Sequence, residues 1–230
     1  MLIQAQKLID GGLERADMVG SGFITSEGQV RWINDCYAEL YDVILRCNED
    51  DYVSYPPTEF TVSSGELSAD LPADFFKMAG LDKKEGGKWI EIRKFAFNRR
   101  NRLKSSFLYT ARTFVPAIRY RIVGNKILFD SQDDAAGTYQ LWYIPVPPEV
   151  TSVSENFSIE SRTHRQFIEL SFAIKALEKE ESDASTLMAE RAKLESDIMA
   201  TKINRDEGEP DRISNYDYYE NHYSDHDGWY

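Results

Sequence analysis

Two groups of side chains in this 230-residue chain have the types and spacing to engage other molecules. The first lies between Asp82 and Arg121, where twelve lysines and arginines stand against three acids. Lys88, Arg93, Lys94, Arg99, Arg100, Arg102, Lys104, Arg119 and Arg121 make it a candidate basic interaction surface, and Trp89, Phe95, Phe97, Phe107, Tyr109, Phe114 and Tyr120 are threaded among them. Cations in that number can neutralise phosphates, and aromatic rings between them can stack on single-stranded bases. Strand alternation produces the same composition: Arg119 and Arg121 fall on one face and Tyr120 and Ile122 on the other. The second group is the C-terminal segment. From Asp206 onward eight acids face one arginine, and Ile213 is the sole aliphatic residue. Such a segment buries too little apolar surface to offset the entropy of ordering itself. Yet it carries Tyr216, Tyr218, Tyr219, Tyr223, Trp229 and Tyr230, which supply contact area at modest side-chain entropy cost. Together with Arg205 and Asp206 these read as a partner-binding tail.

Catalytic and cofactor chemistry has no comparable signal. Gly86-Gly87 lacks the continuation of a phosphate loop, and no G-x-S-x-G, H-E-x-x-H or C-x-x-C is present. His164 stands alone and reads as structural. His222 and His226 are spaced to grip a metal from one helical face, but in this polar tail they read as solvated histidines. Asp70 and Asp74 flank Pro72 and suit a turn, and Asp133-Asp134 suits a loop. A general acid needs burial to raise its pKa, and nothing around these carboxylates promises it. The chain is expected to have no enzymatic activity, cofactor or metal.

The elements that must position the two groups follow from periodicity. Leu2, Ile3, Leu8 and Ile9 predict a short first helix, weakened at Gly11-Gly12. A longer helix is predicted from Thr25-Ser26, with Ser26 and Gln29 as a capping box and Val30, Ile33, Tyr37, Leu40, Tyr41 and Ile44 as its buried face. Asn48 to Asp51 ends it. From Glu59 to Ile144 the pattern changes to strands at 60–62, 76–78, 89–92, 118–122 and 138–144, with a hairpin turn at Val123-Gly124-Asn125-Lys126 into Ile127. The stretch from Phe97 to Phe107 suits a short exposed helix or loop better than a strand. Helical spacing returns at Ser161, with Phe167, Leu170, Ile174 and Leu177 as one stripe and Leu187, Leu194 and Ile198 as another. Asp183 is placed to cap a second helix after a break near Ser182. The fold class is therefore α+β: a helical bundle from the N- and C-terminal segments (1–55 and 151–204), a small antiparallel β-sheet insertion (56–150) and an extended tail (205–230).

The net charge of −12 conceals a basic middle and an acidic end, which favours charged partners at two separate surfaces. Cys36 and Cys47 fall in one predicted helix, about 16 Å apart along its axis, too far for a disulfide. They suit buried small apolar residues of a chain made in a reducing cytosol. No apolar run reaches the length of a membrane span and no signal-peptide pattern opens the chain, so no membrane association is expected.

Four segments, in order, carry a family resemblance. They are Ser21-Gly22-Phe23-Ile24-Thr25 leading to Trp32-Ile33-Asn34 and Glu39-Leu40-Tyr41-Asp42; Leu71-Pro72-Ala73-Asp74-Phe75; Tyr120 to Ile127 followed by Leu141-Trp142-Tyr143-Ile144-Pro145; and Ala173-Ile174-Lys175, Lys179 to Asp183 and Arg205 to Pro210. Their order and spacing over nearly the whole chain resemble the head-to-tail adaptors of tailed bacteriophages, also called connector or head-completion proteins. The resemblance implies a structural virion protein, made in the host cytoplasm, that forms a ring of commonly twelve subunits beneath the portal protein. It implies helices around a DNA channel and a β domain facing the tail or nozzle protein. It further implies a C-terminal arm on the portal, and packaged DNA passing without sequence-specific contact. On that reading the segment from Arg205 is expected to be disordered in the free subunit and to order on the portal. A nucleic-acid-binding module built on residues 82–121 is the alternative. A cell-wall hydrolase would need a buried carboxylate in a cleft.

Overall fold

A computed structural model describes residues 1–97, 118–130 and 135–203. The chain opens with a short strand, β1 (Leu2–Gln4), and only then enters helix α1 (Ala5–Arg15). The helical spacing places Leu2 and Ile3 inside the helix; they pair instead with a strand just after the insertion, opposite Ser158 and Phe157. Gly11-Gly12 does not weaken α1 but lies within it, because a later helix crosses at that point. A Cβ on Gly12 would stand 2.8 Å from Cδ1 of Phe172, and one on Gly11 would stand 2.7 Å from Cδ of Glu169. The glycines are there to admit a neighbouring helix, and tertiary packing outweighs their poor helix propensity.

Helix α2 (Ser26–Cys47) begins where the sequence places it, with the cap displaced by one residue. Thr25, in an extended conformation, accepts the Gly28 N–H at 3.2 Å; Ser26 is already helical and does not cap. A 3-10 turn (Glu49–Tyr52) follows. The strands are β2 (Thr58–Val62), β3 (Ser68–Asp70), β4 (Phe75–Glu85), β5 (Lys88–Glu91), β6 (Tyr120–Val123), β7 (Lys126–Phe129), β8 (Gly137–Pro145) and β9 (Asn156–Ser158). Helices α3 (Arg162–Lys179) and α4 (Ser185–Ile203) close the described chain. The break between them falls where expected: the Asp183 carboxylate accepts the Ser185 N–H at 2.9 Å and the Ser185 hydroxyl at 3.0 Å.

All paired strands run antiparallel, in three ladders ordered β1-β9, β2-β8-β4-β5 and β3-β7-β6. The fold is α+β. One buried cluster joins α1, α2, α3 and α4 with β9 and includes Leu8, Ile33, Tyr41, Phe157, Phe167 and Phe172. The predicted stripes are its substance: Ile33, Leu40, Tyr41 and Ile44 of α2 are all 2% exposed or less. A second cluster, including Leu81, Tyr120, Ile127, Tyr139 and Leu141, lies among the strands. Cys36 is buried and Cys47 partly so, both as free thiols. Burial pushes the Cys36 thiol well up, so it behaves as a small apolar residue. No helix among the described residues is long and apolar enough to cross a membrane.

Candidate interaction surfaces

The described part of the basic stretch is assembled by one contact between separate strands. Lys94 forms an isolated parallel bridge with Tyr120. Around it the Phe95 N–H donates to the Tyr120 carbonyl at 3.0 Å and the Tyr120 N–H to the Arg93 carbonyl at 3.2 Å. This sets Arg93 and Lys94 beside Arg119 and Arg121, residues separated by more than twenty positions in sequence. Alternation is as read from the sequence: Tyr120 is buried, Arg119 is exposed and Arg121 half-buried. Arg121 is largely committed to the fold, its guanidinium donating to the Phe95 carbonyl at 3.2 Å and lying 5.6 Å from the centre of the Phe97 ring. Arg119 is fixed through its backbone N–H, which donates to Asp130 at 2.8 Å. Acids stand behind the patch: burial first, then the carboxylates of Glu91 and Asp82, push the Tyr120 phenol up to about 12. Lys88 is not part of this group; it sits exposed at the β4–β5 turn, opposite Glu85, about 17 Å of strand from Arg93. Arg99, Arg100, Arg102 and Lys104 lie outside the described residues.

The tail residues Arg205, Asp206, Tyr216, Tyr218, Tyr219, Tyr223, Trp229 and Tyr230, with His222 and His226, also lie outside the described residues. What the structure defines is the root of the tail. Lys202, in the last turn of α4, is 5% exposed and lies between Asp51 at 2.5 Å and Glu160. This buried cation ties the end of α4 to the 3-10 turn after α2 and to the residue preceding the cap of α3. Sequence reasoning missed it, because a lysine at a helix C-terminus is what the helix dipole favours in any solvated helix. Its partners are 151 and 42 positions away, so no local signal marks it. Beside it His164 is buried, and burial first, then the charge of Lys202, lowers its pKa below the usual histidine value. Its structural role is as read from the sequence.

Two further long-range charge clusters lock the helices. Glu39 of α2 takes Lys175 of α3 at 2.8 Å and Arg191 of α4 at 3.0 Å. Burial opposes the Lys175 charge, but the bond and charge of Glu39 outweigh it and raise the pKa. Glu169 of α3 is the buried carboxylate beneath a notch lined by Arg15, Arg162 and Arg165. Its oxygens are taken by Arg165 at 2.6 Å and Arg15 at 3.4 Å. Among the described residues no group of three or more His, Cys, Asp or Glu is placed to hold a metal ion. Asp70 pairs with Lys126 at 2.9 Å, and Asp74 accepts the Tyr143 hydroxyl at 3.0 Å. Both acids belong to the strand framework.

The geometry is thus that of charged surfaces on an ion-paired scaffold. The family model of the SU10 adaptor protein matches residues 5–215, which is nearly the whole chain. The chain belongs to the SU10 adaptor protein family. Family membership makes it a structural adaptor of a bacteriophage and a virion component. The matched span runs through the strand insertion and past the root of the tail. It takes in Arg205 and Asp206 but stops before Tyr216, so the tail's tyrosines and Trp229 all lie beyond it. No curated protein matches the chain.

Proposed function

We propose that this SU10-family adaptor docks as a ring built on the portal protein, not self-assembled in dilute solution, and links the portal to the tail or nozzle protein around the DNA channel. The observation that carries the reading is the family match over residues 5–215. In this proposal residues 1–55 and 151–204 form the bundle, 56–150 the insertion and 205–230 the portal-binding tail, with twelve copies in the ring. Adjacent copies meet through different faces, as a closed ring of identical subunits requires. DNA passes without sequence-specific contact. The engagement of Arg121 with Phe95 and Phe97, and the acids behind Tyr120, support a patch whose charge is partly spent inside the fold. A strongly basic lining would retard sliding DNA.

The tail is the proposed docking element. Its acids steer it to a basic portal surface, and its aromatic residues then anchor it. At about 3.3 Å per residue the segment from Arg205 can span up to ~80 Å, enough to cross neighbouring subunits. The test is deletion of every residue after Asp211, with portal binding measured at low and high salt. The truncated protein is expected to bind at least tenfold more weakly. Undiminished binding removes the tail from this role, and absence of binding by the full chain to any portal ring removes the adaptor–portal link.

A further inference from the structure

The notch over Glu169 holds more positive charge than the fold consumes. Its volume is about 420 Å³, and it lies where the end of α1 meets the first turns of α3. The lining sets three arginines, Arg15, Arg162 and Arg165, against one acid, Glu169. That carboxylate is 7% exposed and is shared by Arg15 at 3.4 Å and Arg165 at 2.6 Å, both through Nε. Arg15 also meets Glu190 of α4, at 3.7 Å and with half of that side chain in solvent. Three cations against these two acids still leave one positive charge in excess. Arg162 is exposed and has no acidic partner among the described residues. The first turn of α3 contains no acid, so its own helix does not neutralise it, and the helix dipole adds the same sign there.

The tail begins beside this notch. Lys202 is paired with Glu160, which lies two positions before Arg162. Asp206, Glu207, Glu209 and Asp211 follow Lys202 by four to nine positions. Nine residues span about 30 Å when extended, a reach several times the width of the notch. No other stretch outside the described residues suits it as well. Residues 98–117 carry no acid. Residues 131–134 carry two, but they join Asp130 to Ala135, both buried in the strand insertion and not in the bundle.

We propose that the notch seats the acidic run from Asp206 to Asp211 of the same chain, with Arg162 and Arg165 taking its carboxylates. A guanidinium matches a carboxylate in shape, and both stay charged at neutral pH. A tethered segment meets the notch at an effective concentration that a neighbouring copy in dilute solution does not reach. The seat fixes the origin of the tail on its own subunit and leaves Tyr216 to Tyr230 as the part that reaches a partner. It is independent of portal docking. Deletion after Asp211 removes the reaching part and keeps the seat, so either can fail without the other.

The full-length protein is compared, without a portal and at low salt, with the full-length variant Asp206→Asn, Glu207→Gln, Glu209→Gln, Asp211→Asn. The readout is NMR of the arginine Nε–H groups. The signals of Arg162 and Arg165 are expected to differ between the two proteins, while those of Arg31 on α2 and Arg119 in the insertion stay in place. The difference should fade as salt is added and be the same at every protein concentration. Arg162→Glu is the reciprocal test. Trypsin cleavage after Arg205 and Arg212, which border the run, should quicken about threefold or more, because cleavage follows the released population. Arg162 is exposed, so this variant should fold. Should its denaturation midpoint fall, the tail variant decides, since the acids it replaces lie outside the described fold. Unmoved signals of Arg162 and Arg165, equal movement at Arg31 and Arg119, or unchanged cleavage in folded Arg162→Glu overturns the proposal. Movement that grows with protein concentration overturns it in favour of a neighbouring copy's tail.

Discussion

Replacing Lys202 by methionine should cost the protein much of its stability while leaving the helical stripe of α4 intact. Methionine keeps most of the side chain's length and apolar contact and removes only the charge. The Asp51 side chain is 7% exposed, so its carboxylate would stay in the interior after losing the Lys202 charge. Breaking a buried ion pair from one side costs about 3–5 kcal/mol. Glu160, at 44% exposed, can turn to water, which places the expected loss near the lower end, about 3 kcal/mol. For a chain of this size that corresponds to a fall in Tm of roughly 6–12 °C. Urea denaturation followed by far-ultraviolet circular dichroism measures the loss directly. Lys202→Met with Asp51→Leu should recover most of it, because the buried carboxylate is removed with its cation and the remaining one, Glu160, can turn to water. A single-variant loss under about 1 kcal/mol, the range of exposed pairs, would refute the argument. So would a double variant no more stable than the single.

Three other outcomes are expected. Gly12→Ala gains about 1 kcal/mol of helix propensity but forces a Cβ to within 2.9 Å of Phe172 Cβ and 3.1 Å of the Glu169 carbonyl. Overpacking of about 1–3 kcal/mol should exceed the gain, and denaturation midpoints at or above those of the parent would show the crossing to be looser than described. His164 has a folded pKa below its unfolded value of about 6.5. The unfolded chain therefore binds its proton first, so the stability tied to the neutral ring is complete above that pH and is lost as pH falls through the folded pKa. His164→Gln should flatten the acid limb of a stability–pH curve below about 6.5; an unchanged limb would assign the slope to other groups. Purified protein at low concentration is expected to be monomeric by mass photometry, since the charge of −12 opposes assembly, and stable rings without a portal would contradict this.

Local periodicity was enough to place α2, α3, the hairpin of β6 and β7 and the break before α4, because each is defined by side chains three, four or two positions apart. The charge contrast between residues 82–121 and the tail is likewise a property of the chain alone, as is the family resemblance carried by its ordered segments. Other features depended on which elements meet. Gly11-Gly12 reads as a helix weakness until Phe172 and Glu169 of α3 are found against it. Leu2 and Ile3 have helical spacing, but pairing with Ser158 and Phe157 makes them a strand. Lys202 looks like any terminal lysine, and its burial exists only because Asp51 and Glu160 converge on it from distant segments. In sequence the basic patch is one run of twelve charges. The fold divides its described part, separating Lys88 from Arg93, Lys94, Arg119 and Arg121 and turning Arg121 inward. Composition fixes how much charge a segment carries, but burial and long-range pairing decide how much of it faces a partner.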